Sequence, residues 1–417
     1  MDDIRLLLPL IDPRRPLLWM RKGDGLAGVG TALRLEFQGP NRITDAGAAW
    51  LRIAAAAQVT DPLASPGTGL VAFGAFAFSE RSALVSTLIV PELIIGRRGG
   101  VSWLTRVIVE DAAGSAEDAA AAVPAGPARL PAGPARLPAA RPLGTEFRIT
   151  LLPGSVKPDA YRASVEAAVT LIQAGELEKV VLARDLVGHL PEGSDLRRML
   201  TDLALGYPDC WTYAVDGLIG SSPETLVRVD HGTVSARVLA GTQSRGRDAV
   251  ADHDQAAALA TSAKDLDEHH FALTSVVQAL EPHVRTLSTS ESPFTLKLPN
   301  LWHLASDVEG ELTDGSSCLD LIAALHPTAA VAGTPTDIAL ALIDELEPFD
   351  RGRYAGPVGW VGADGDGEWA VAIRCAQITE NGDITAYAGA GIVAESDPEH
   401  ELVETRMKFR PMVEAFG

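Results

Sequence analysis

A glycine-rich segment followed at once by a helix-start signature closes the chain and constrains its fold most. Residues 388–392 read Ala-Gly-Ala-Gly-Ile, and glycine allows turns and close backbone approaches that other residues avoid. Ser396 and Glu399 stand at capping-box spacing with Pro398 in the first turn, so a helix is predicted to begin here. Its predicted buried stripe consists of Leu402, Phe409, Val413 and Phe416.

Three charged residues share another sector of this predicted helix. Glu401, Glu404 and Lys408 fall at positions i, i+3 and i+7, away from the apolar stripe. Two carboxylates and an ammonium beside a glycine turn are suited to Mg²⁺ and a carboxylate substrate. For a helix seen alone, the alternative is a solvated Glu/Lys face with i,i+4 pairing.

The composition excludes several classes of partner. The formal charge of −20 argues against nucleic acid and anionic membranes, because the electrostatic footprint has the wrong sign. Three cysteines without metal-ligand spacing indicate a reducing cytoplasm. The acidic N-terminus lacks a signal-peptide pattern, and no apolar run reaches membrane-spanning length. We therefore expect a cytoplasmic protein.

The chain divides into three parts by composition. Residues 1–111 show strand and turn patterns, with strand candidates at 69–78 and 88–95 and a helix at 43–57. Residues 112–144 contain the sequence Pro-Ala-Gly-Pro-Ala-Arg-Leu twice in tandem, which predicts an exposed, mobile connection. It marks either a domain boundary or an insertion in one large domain. The catalytic part is expected at 145–417.

Regular secondary structure is predicted after residue 145. A helix carrying Tyr161, Val165 and Ile172 should end at Gly175, and a β-branched strand follows at 178–187. Strands, helices and glycine turns then alternate to the end, which favours α+β layers over a simple βαβ repeat.

Lys179 is a candidate base on the strand after Gly175. Period-two alternation puts Lys179, Val181 and Ala183 on one face of this strand. A lysine among apolar neighbours is partly desolvated, so its neutral amine becomes accessible as a base. The alternative is a lysine at a strand end that reaches solvent.

Glu224 is a candidate general acid. It ends the predicted tight turn Gly-Ser-Ser-Pro-Glu at 220–224, and a carboxyl held in an apolar turn can keep its proton near neutrality. The same pattern is also an ordinary start of a strand. A second predicted glycine turn, at 239–242, offers backbone contacts to a ligand or plain structure.

A second acidic helix is predicted from residue 264 toward Leu280, ended by Pro282. Asp265 and Glu268 are i,i+3 neighbours on it and would supply the other half of a Mg²⁺ site. Zinc is not favoured, because the sequence has no His/Cys cluster. His269 is either a ligand or a packed or surface histidine.

Ten segments in this order resemble the chorismate-utilising enzymes, the superfamily of anthranilate synthase large subunits and of aminodeoxychorismate, salicylate and isochorismate synthases. The residues before 111 are similar, less closely, to the variable N-terminal part of that fold. The resemblance implies an α/β (α+β layered) fold: one large domain of two stacked β-sheets flanked by helices, with the site between them. The matching segments are residues 179–184, 221–224, 239–242, 264–269, 301–303, 325–333, 353–356, 372–374, 388–391 and 401–405.

Three positions indicate the branch of the superfamily. The resemblance implies a lysine base at Lys179 in members that use water, where ammonia-using members carry glutamine. Ala240 occupies the place of a nucleophilic lysine in aminodeoxychorismate synthases, so covalent catalysis there is excluded. Ala330 stands where salicylate synthases have threonine. Isochorismate synthase is the best match, and a salicylate synthase or a non-catalytic chorismate-binding paralogue are the alternatives.

The resemblance also implies roles for individual residues. Lys179 would be the base and Glu224 the acid, and the substrate pair would be chorismate and isochorismate. We expect a monomer without a glutaminase subunit, while the menaquinone and siderophore pathways both remain open. The implied Mg²⁺ ligands are Glu268 and Glu404, with Glu401 and Asp265 nearby. The implied substrate contacts are Gly241, Thr242, His303, Ala330, Tyr354, Arg374, Ala388, Gly389, Gly391 and Lys408.

Overall fold

The computed structural model describes residues 7–109 and 137–417. The predicted connection therefore lies outside the described residues, except for its last part at 137–144. That part carries no helix or strand, and it is attached to the fold by backbone hydrogen bonds such as the one from the Arg141 N–H to the Pro9 carbonyl.

The described residues form strands and helices that alternate along the chain. The strands are β1 (Leu17–Arg21), β2 (Asp24–Val29), β3 (Leu33–Phe37), β4 (Val71–Ala75), β5 (Ser86–Val90), β6 (Leu93–Arg98), β7 (Val101–Arg106), β8 (Leu152–Pro153), β9 (Lys179–His189), β10 (Trp211–Val215), β11 (Leu218–Ser222), β12 (Thr225–Asp230), β13 (Thr233–Ser244), β14 (Val284–Thr289), β15 (Phe294–Lys297), β16 (Leu301–Leu312), β17 (Gly333–Thr334), β18 (Pro357–Gly362), β19 (Gly367–Val371), β20 (Cys375–Ile378) and β21 (Asp383–Ile392). The helices are α1 (Arg42–Ala56), α2 (Pro158–Gln173), α3 (Arg197–Gly206), α4 (Ala249–Thr261), α5 (Ala263–Leu280), α6 (Cys318–Leu325), α7 (Thr336–Leu346) and α8 (Pro398–Phe416).

The strands pair into two large antiparallel sheets. One has the order β17-β9-β21-β20-β11-β10-β1-β2-β6-β7, with β8 paired to β9. The other has the order β14-β16-β13-β12-β19-β18-β4-β5-β3, with β15 paired to β16. Strands β1–β7 complete both sheets, so the segments before and after the predicted connection build a single fold. The predicted two-sheet architecture is confirmed.

Strand β1 shows how the layers are filled. Leu17 and Trp19 pack into the core between the two sheets, whereas Leu18 and Met20 face the outer side together with residues of α3 and α8. This alternation is the period-two pattern of a strand buried on both faces. The site described below lies between the sheets.

The C-terminal helix begins one residue later than its sequence pattern predicts. Asp397, not Ser396, is the N-cap, and its carboxylate accepts a hydrogen bond from the His400 N–H at 2.9 Å. Ser396 instead bonds the N–H of Val393, so the predicted capping box is wrong. The predicted stripe is buried at Leu402, Phe409 and Phe416, but Val413 is 45% exposed.

The predicted glycine turns are parts of strands. Residues 388–392 end β21, residues 239–242 lie inside β13, and Gly220 lies in β11. A β-bulge interrupts the β13–β16 pairing between Ala240 and Thr242, and Gly241 there has a positive φ of 78°. The candidate strand at 88–95 is likewise two strands, β5 and β6, separated at Pro91.

Replacing the observed N-cap by Asp397→Ala should lower the free energy of unfolding by about 1 kcal/mol, because the His400 N–H loses its acceptor. Glu399→Ala is the matched control, since Glu399 makes only a surface ion pair with Arg162. We expect the control to stay within about 0.5 kcal/mol of wild type. Urea unfolding monitored by circular dichroism measures both variants, and an equal loss in both would contradict the assignment of the cap.

Candidate active site

A cavity opens between the two sheets, and most of the predicted site residues line it. The side chain of Ala388 packs into the outer core beside α8 rather than toward the cavity. The other predicted site residues that are not among the lining residues are Lys179, Asp265, Glu401 and Glu404. The lining residues are Val181, Pro223, Glu224, Leu239, Ala240, Gly241, Thr242, Glu268, His303, Ala330, Val331, Tyr354, Ile373, Arg374, Gly389, Gly391 and Lys408.

Lys179 is fully buried at the start of β9 and does not reach solvent. Its Nζ lies 3.1 Å from Oε1 of Glu268 on α5. This contact joins the first sheet to helix α5. Burial alone would raise the pKa of Glu268, but the charges of Lys179 and Lys408 outweigh it and the pKa is lowered. The ammonium–carboxylate pair is thus one unit of the site.

Because Gly391 has no side chain, the Lys179–Glu268 pair has room beside it. A Cβ at this position would lie 2.4 Å from Oε1 of Glu268 and 3.0 Å from Cε of Lys179. Both distances are shorter than ordinary van der Waals contact. The glycine is therefore needed for space rather than for a turn, because it lies in regular β21 backbone.

Glu224 is held between β11 and β12 and is 6% exposed. Its N–H donates to Oγ of Ser222, which in turn donates to the Val371 carbonyl at 2.7 Å. Burial raises the pKa of Glu224 to about 7, although the charges of Arg374, Lys179 and Lys408 act against the rise. Glu224 therefore carries a proton for a large part of the time near neutral pH.

His303 and Arg374 form a buried hydrogen-bonded chain. The guanidinium of Arg374 donates to Nε2 of His303 at 3.1 Å, and Nδ1 of His303 lies 3.2 Å from the Gly241 carbonyl. Burial lowers the pKa of His303 well below its usual range. A neutral ring with its proton on Nδ1 satisfies both contacts. Arg374 has a positive φ of 52°, a strained conformation typical of functional sites.

The acidic residues of α5 and α8 are balanced by lysines. Lys408 lies 2.6 Å from Glu404 and also donates to the Gly389 carbonyl at 3.0 Å. Lys264 lies 2.8 Å from Glu401, which is 1% exposed. Burial and the charge of Glu404 raise the pKa of Glu401 despite Lys264.

The carboxylates fit a hard divalent cation. Mg²⁺ takes oxygen ligands and is usually held by one or two carboxylates, with water and substrate oxygens completing its shell. Glu268 and Glu404 provide such a pair from two helices, and both charges act on Lys264. Burial raises the pKa of Asp265, with Glu268 adding to the rise, so Asp265 is a poorer anionic ligand than Glu268.

A separate group of possible metal ligands, in the described part of the chain, is already engaged. Oxygen and nitrogen atoms of Asp230, His231 and Asp366 lie within 4.8 Å of one another. The His231 ring bonds Asp230, the His231 backbone N–H donates to Asp366, and Asp230 also pairs with Arg228. These bonds hold the β12–β13 turn.

Sequence reasoning missed Lys264 as a site residue. The residue lies within a segment that the family resemblance identified, but its pairing with Glu401 crosses 137 positions of sequence. No local pattern predicts such a contact. His269 is the packed histidine of the two alternatives: it is buried, and its Nε2 lies 2.9 Å from Oγ of Ser306.

The fold is that of the chorismate binding enzymes. The chain matches that family over residues 14–417, and the chain therefore belongs to the family.

In the described residues, no helix is both long and apolar enough to cross a membrane.

Individual members of the family and solved structures are similar to this chain. The chain is 45% identical over 273 residues to isochorismate synthase DhbC of Bacillus subtilis, covering 63% of this chain and 68% of the relative. The crystal structure of a putative 2,3-dihydroxybenzoate-specific isochorismate synthase, DhbC from Bacillus anthracis, matches with a TM-score of 0.78 and 31% identity over 100% of both chains. Anthranilate synthase component I from Streptococcus pneumoniae shares the fold, with a TM-score of 0.71 and 21% identity over 96% and 93% of the chains.

Gly391→Ala should lower kcat by about 10²-fold, because the added methyl group displaces Lys179 and Glu268 from their present positions. Gly47→Ala in α1 is the control, since its Cβ would meet nothing closer than 3.6 Å. Steady-state kinetics on both variants, with circular dichroism to verify folding, measure the effect. A Gly391→Ala enzyme with wild-type kcat would show that the close packing is not required.

Proposed function

We propose that this enzyme is an isochorismate synthase, an isomerase that converts chorismate reversibly into isochorismate. The observation that carries the proposal is a buried lysine, Lys179, whose charge acts on Glu224, a carboxyl group of the cavity wall with a pKa of about 7. The similarity to isochorismate synthases supports the same reaction. A protein that only binds chorismate has no need for an acid–base pair.

The reaction adds water at C2 of the ring and removes the hydroxyl group at C4, with a shift of the ring double bonds. In its neutral form, Nζ of Lys179 accepts a proton from the attacking water as the C2–O bond forms. The carboxyl group of Glu224 donates a proton to the C4 oxygen, which leaves as water. The product has the composition of the substrate, and proton exchange with solvent restores both groups.

The substrate has two carboxylates, and the site supplies cations for them. Arg374 and Lys408 lie on the cavity wall with Tyr354, and they suit the carboxylate of the pyruvyl group, which an arginine can grip bidentately. Bound Mg²⁺, held by Glu268 and Glu404 with Glu401 and Asp265 nearby, would neutralise the ring carboxylate. Such local cations are required, because the chain as a whole carries a charge of −20.

The reaction is proposed to stop at isochorismate. Pyruvate elimination needs the pyruvyl side chain of the substrate folded over the ring. Ala330 and Val331 form part of the cavity wall and present no hydroxyl group to the substrate. We further propose a cytoplasmic monomer without a glutaminase subunit. The absence of a glutaminase subunit is supported by the family resemblance, which implies a lysine base at Lys179 where ammonia-using members carry glutamine.

Lys179→Ala and Glu224→Gln should each lower kcat by about 10²-fold or more, the range of general acid–base catalysis, with smaller effects on substrate binding. Lys22→Ala is the control, because that lysine is 64% exposed and its ion-pair partner among the described residues is Asp209. The assay incubates the protein with chorismate and Mg²⁺ and identifies products by chromatography. A Lys179→Ala enzyme with near-normal turnover would refute the assignment, and stoichiometric pyruvate release by wild type would indicate a salicylate synthase.

The same assay tests the metal. Excess EDTA should abolish turnover, and added Mg²⁺ should restore it. Glu268→Gln and Glu404→Gln should weaken Mg²⁺ binding in calorimetry without unfolding the protein, because each removes a charged ligand. Full activity in excess EDTA would contradict the metal dependence.

Activity should fall as the pH rises through about 7. The pKa of Glu224 is raised to about 7, so its acidic form is abundant below that pH and is lost above it. The profile of kcat/KM reports groups of the free enzyme. The alkaline limb should therefore lie near this value in wild type and disappear from the residual activity of Glu224→Gln. An unchanged limb in the variant would assign it to another group.

A further inference from the structure

A buried ion pair lies directly behind the cavity and has no part in the proposed chemistry. Glu347 directly follows α7, and Arg351 comes four residues later, outside the helix. Each side chain is 3% exposed. Nε and one terminal nitrogen of Arg351 donate to the two carboxylate oxygens of Glu347, at 2.8 and 2.6 Å. A bidentate pair of this kind has a precisely defined geometry.

The pair fills a gap on one edge of β9, between the residues that pair with β17 and those that pair with β8. Strand β17 covers only the first residues of this edge, and the Val181 N–H still reaches the Ala332 carbonyl. Beyond that point, the Val181 carbonyl accepts from Arg351 at 2.7 Å, and the Ala183 N–H donates to Glu347 at 2.7 Å. Two side chains thus satisfy buried backbone groups that a neighbouring strand would normally satisfy.

Arg351 also holds the part of the cavity wall next to β9. Its remaining terminal nitrogen donates to the Val331 carbonyl at 2.9 Å, and its own carbonyl accepts from the Tyr354 N–H at 2.9 Å. Val181, Val331 and Tyr354 all line the cavity. The Arg351 guanidinium therefore links the strand that carries Lys179 to Val331, and the Arg351 backbone belongs to the turn before Tyr354.

We propose that Arg351 and Glu347 are positioning residues that set the location of Lys179 relative to the 330–331 wall and the bound substrate. The inference rests on the proposed function, because it assigns the pair a role in the chemical step at Lys179. The pair does not line the cavity itself. Its effect should therefore appear in kcat, whereas KM depends on groups such as Arg374 and Lys408.

The decisive variant replaces both partners, Glu347→Leu with Arg351→Met. Removing the two charges together avoids leaving one of them buried without a partner, so the fold is expected to survive. We expect kcat per folded molecule to fall by about 10-fold to 10²-fold, because small displacements of a catalytic group are costly. KM should change much less.

A matched control exists at the start of α3, which packs in the outer core. Asp195 and Arg197 form another buried bidentate pair, 4% and 2% exposed, and Arg197 donates to the Arg141 and Pro142 carbonyls. It has the same chemistry but does not line the cavity. Asp195→Leu with Arg197→Met should lower the melting temperature to a similar degree and leave kcat per folded molecule unchanged.

If the double variant does not fold, Arg351→Lys provides a second test of the proposal. Lysine keeps the charge opposite Glu347, but one ammonium cannot reproduce the planar fork that reaches the carbonyls of both Val181 and Val331. We expect lower kcat at a nearly unchanged melting temperature. Wild-type kcat in either variant, or an equal loss in the Asp195/Arg197 control, would overturn the positioning role. A wild-type protein that does not convert chorismate would instead overturn the proposed function.

Discussion

The pairing of β9 with β21 is the interaction on which the site depends. Ten residue pairs join these strands, from Asp383–His189 to Ile392–Val180, and they fix the register that puts Lys179 beside Gly391. A slip by one residue would turn every side chain of β9 to the other face. Helix α8 follows β21 after a short connection, so the same register also determines where Glu404 and Lys408 stand.

The sequence predicted those elements of the fold that depend on local pattern. Helix α5 was expected to run toward Leu280 and ends there, and β9 was expected around 178–187. Local pattern was misleading where a glycine serves tertiary packing. The segment at 388–392 was interpreted as a turn, but its glycine at 391 lies in a strand and makes room for Glu268, 123 positions earlier in the sequence.

The site residues were predictable mainly as an ordered set of segments resembling one superfamily. Physical reasoning on single segments left alternatives at Lys179, at Glu224 and on the acidic helices, because burial and charge pairing depend on contacts across the chain. Lys264 and the Glu347–Arg351 pair illustrate the limit. The contact of Lys264 with Glu401 and those of the Glu347–Arg351 pair with Val181, Ala183 and Val331 are fixed by the stacking of helices and sheets. No spacing within a helix or strand encodes these contacts.

Charge pairing within the cavity explains why two of its groups are suited to chemistry. Lys179, Lys264 and Lys408 each lie beside a glutamate, so each of these lysines has a carboxylate partner of its own. Among the described residues of the site, Arg374 faces a neutral histidine rather than a carboxylate, and Glu224 has no lysine or arginine within ion-pair distance. The unpaired guanidinium can therefore take a substrate carboxylate. The unpaired carboxyl keeps its proton to about pH 7, because burial outweighs the more distant cations. The arrangement of ion pairs thus leaves Arg374 as a cation that can bind the substrate and Glu224 as an acid in the same cavity.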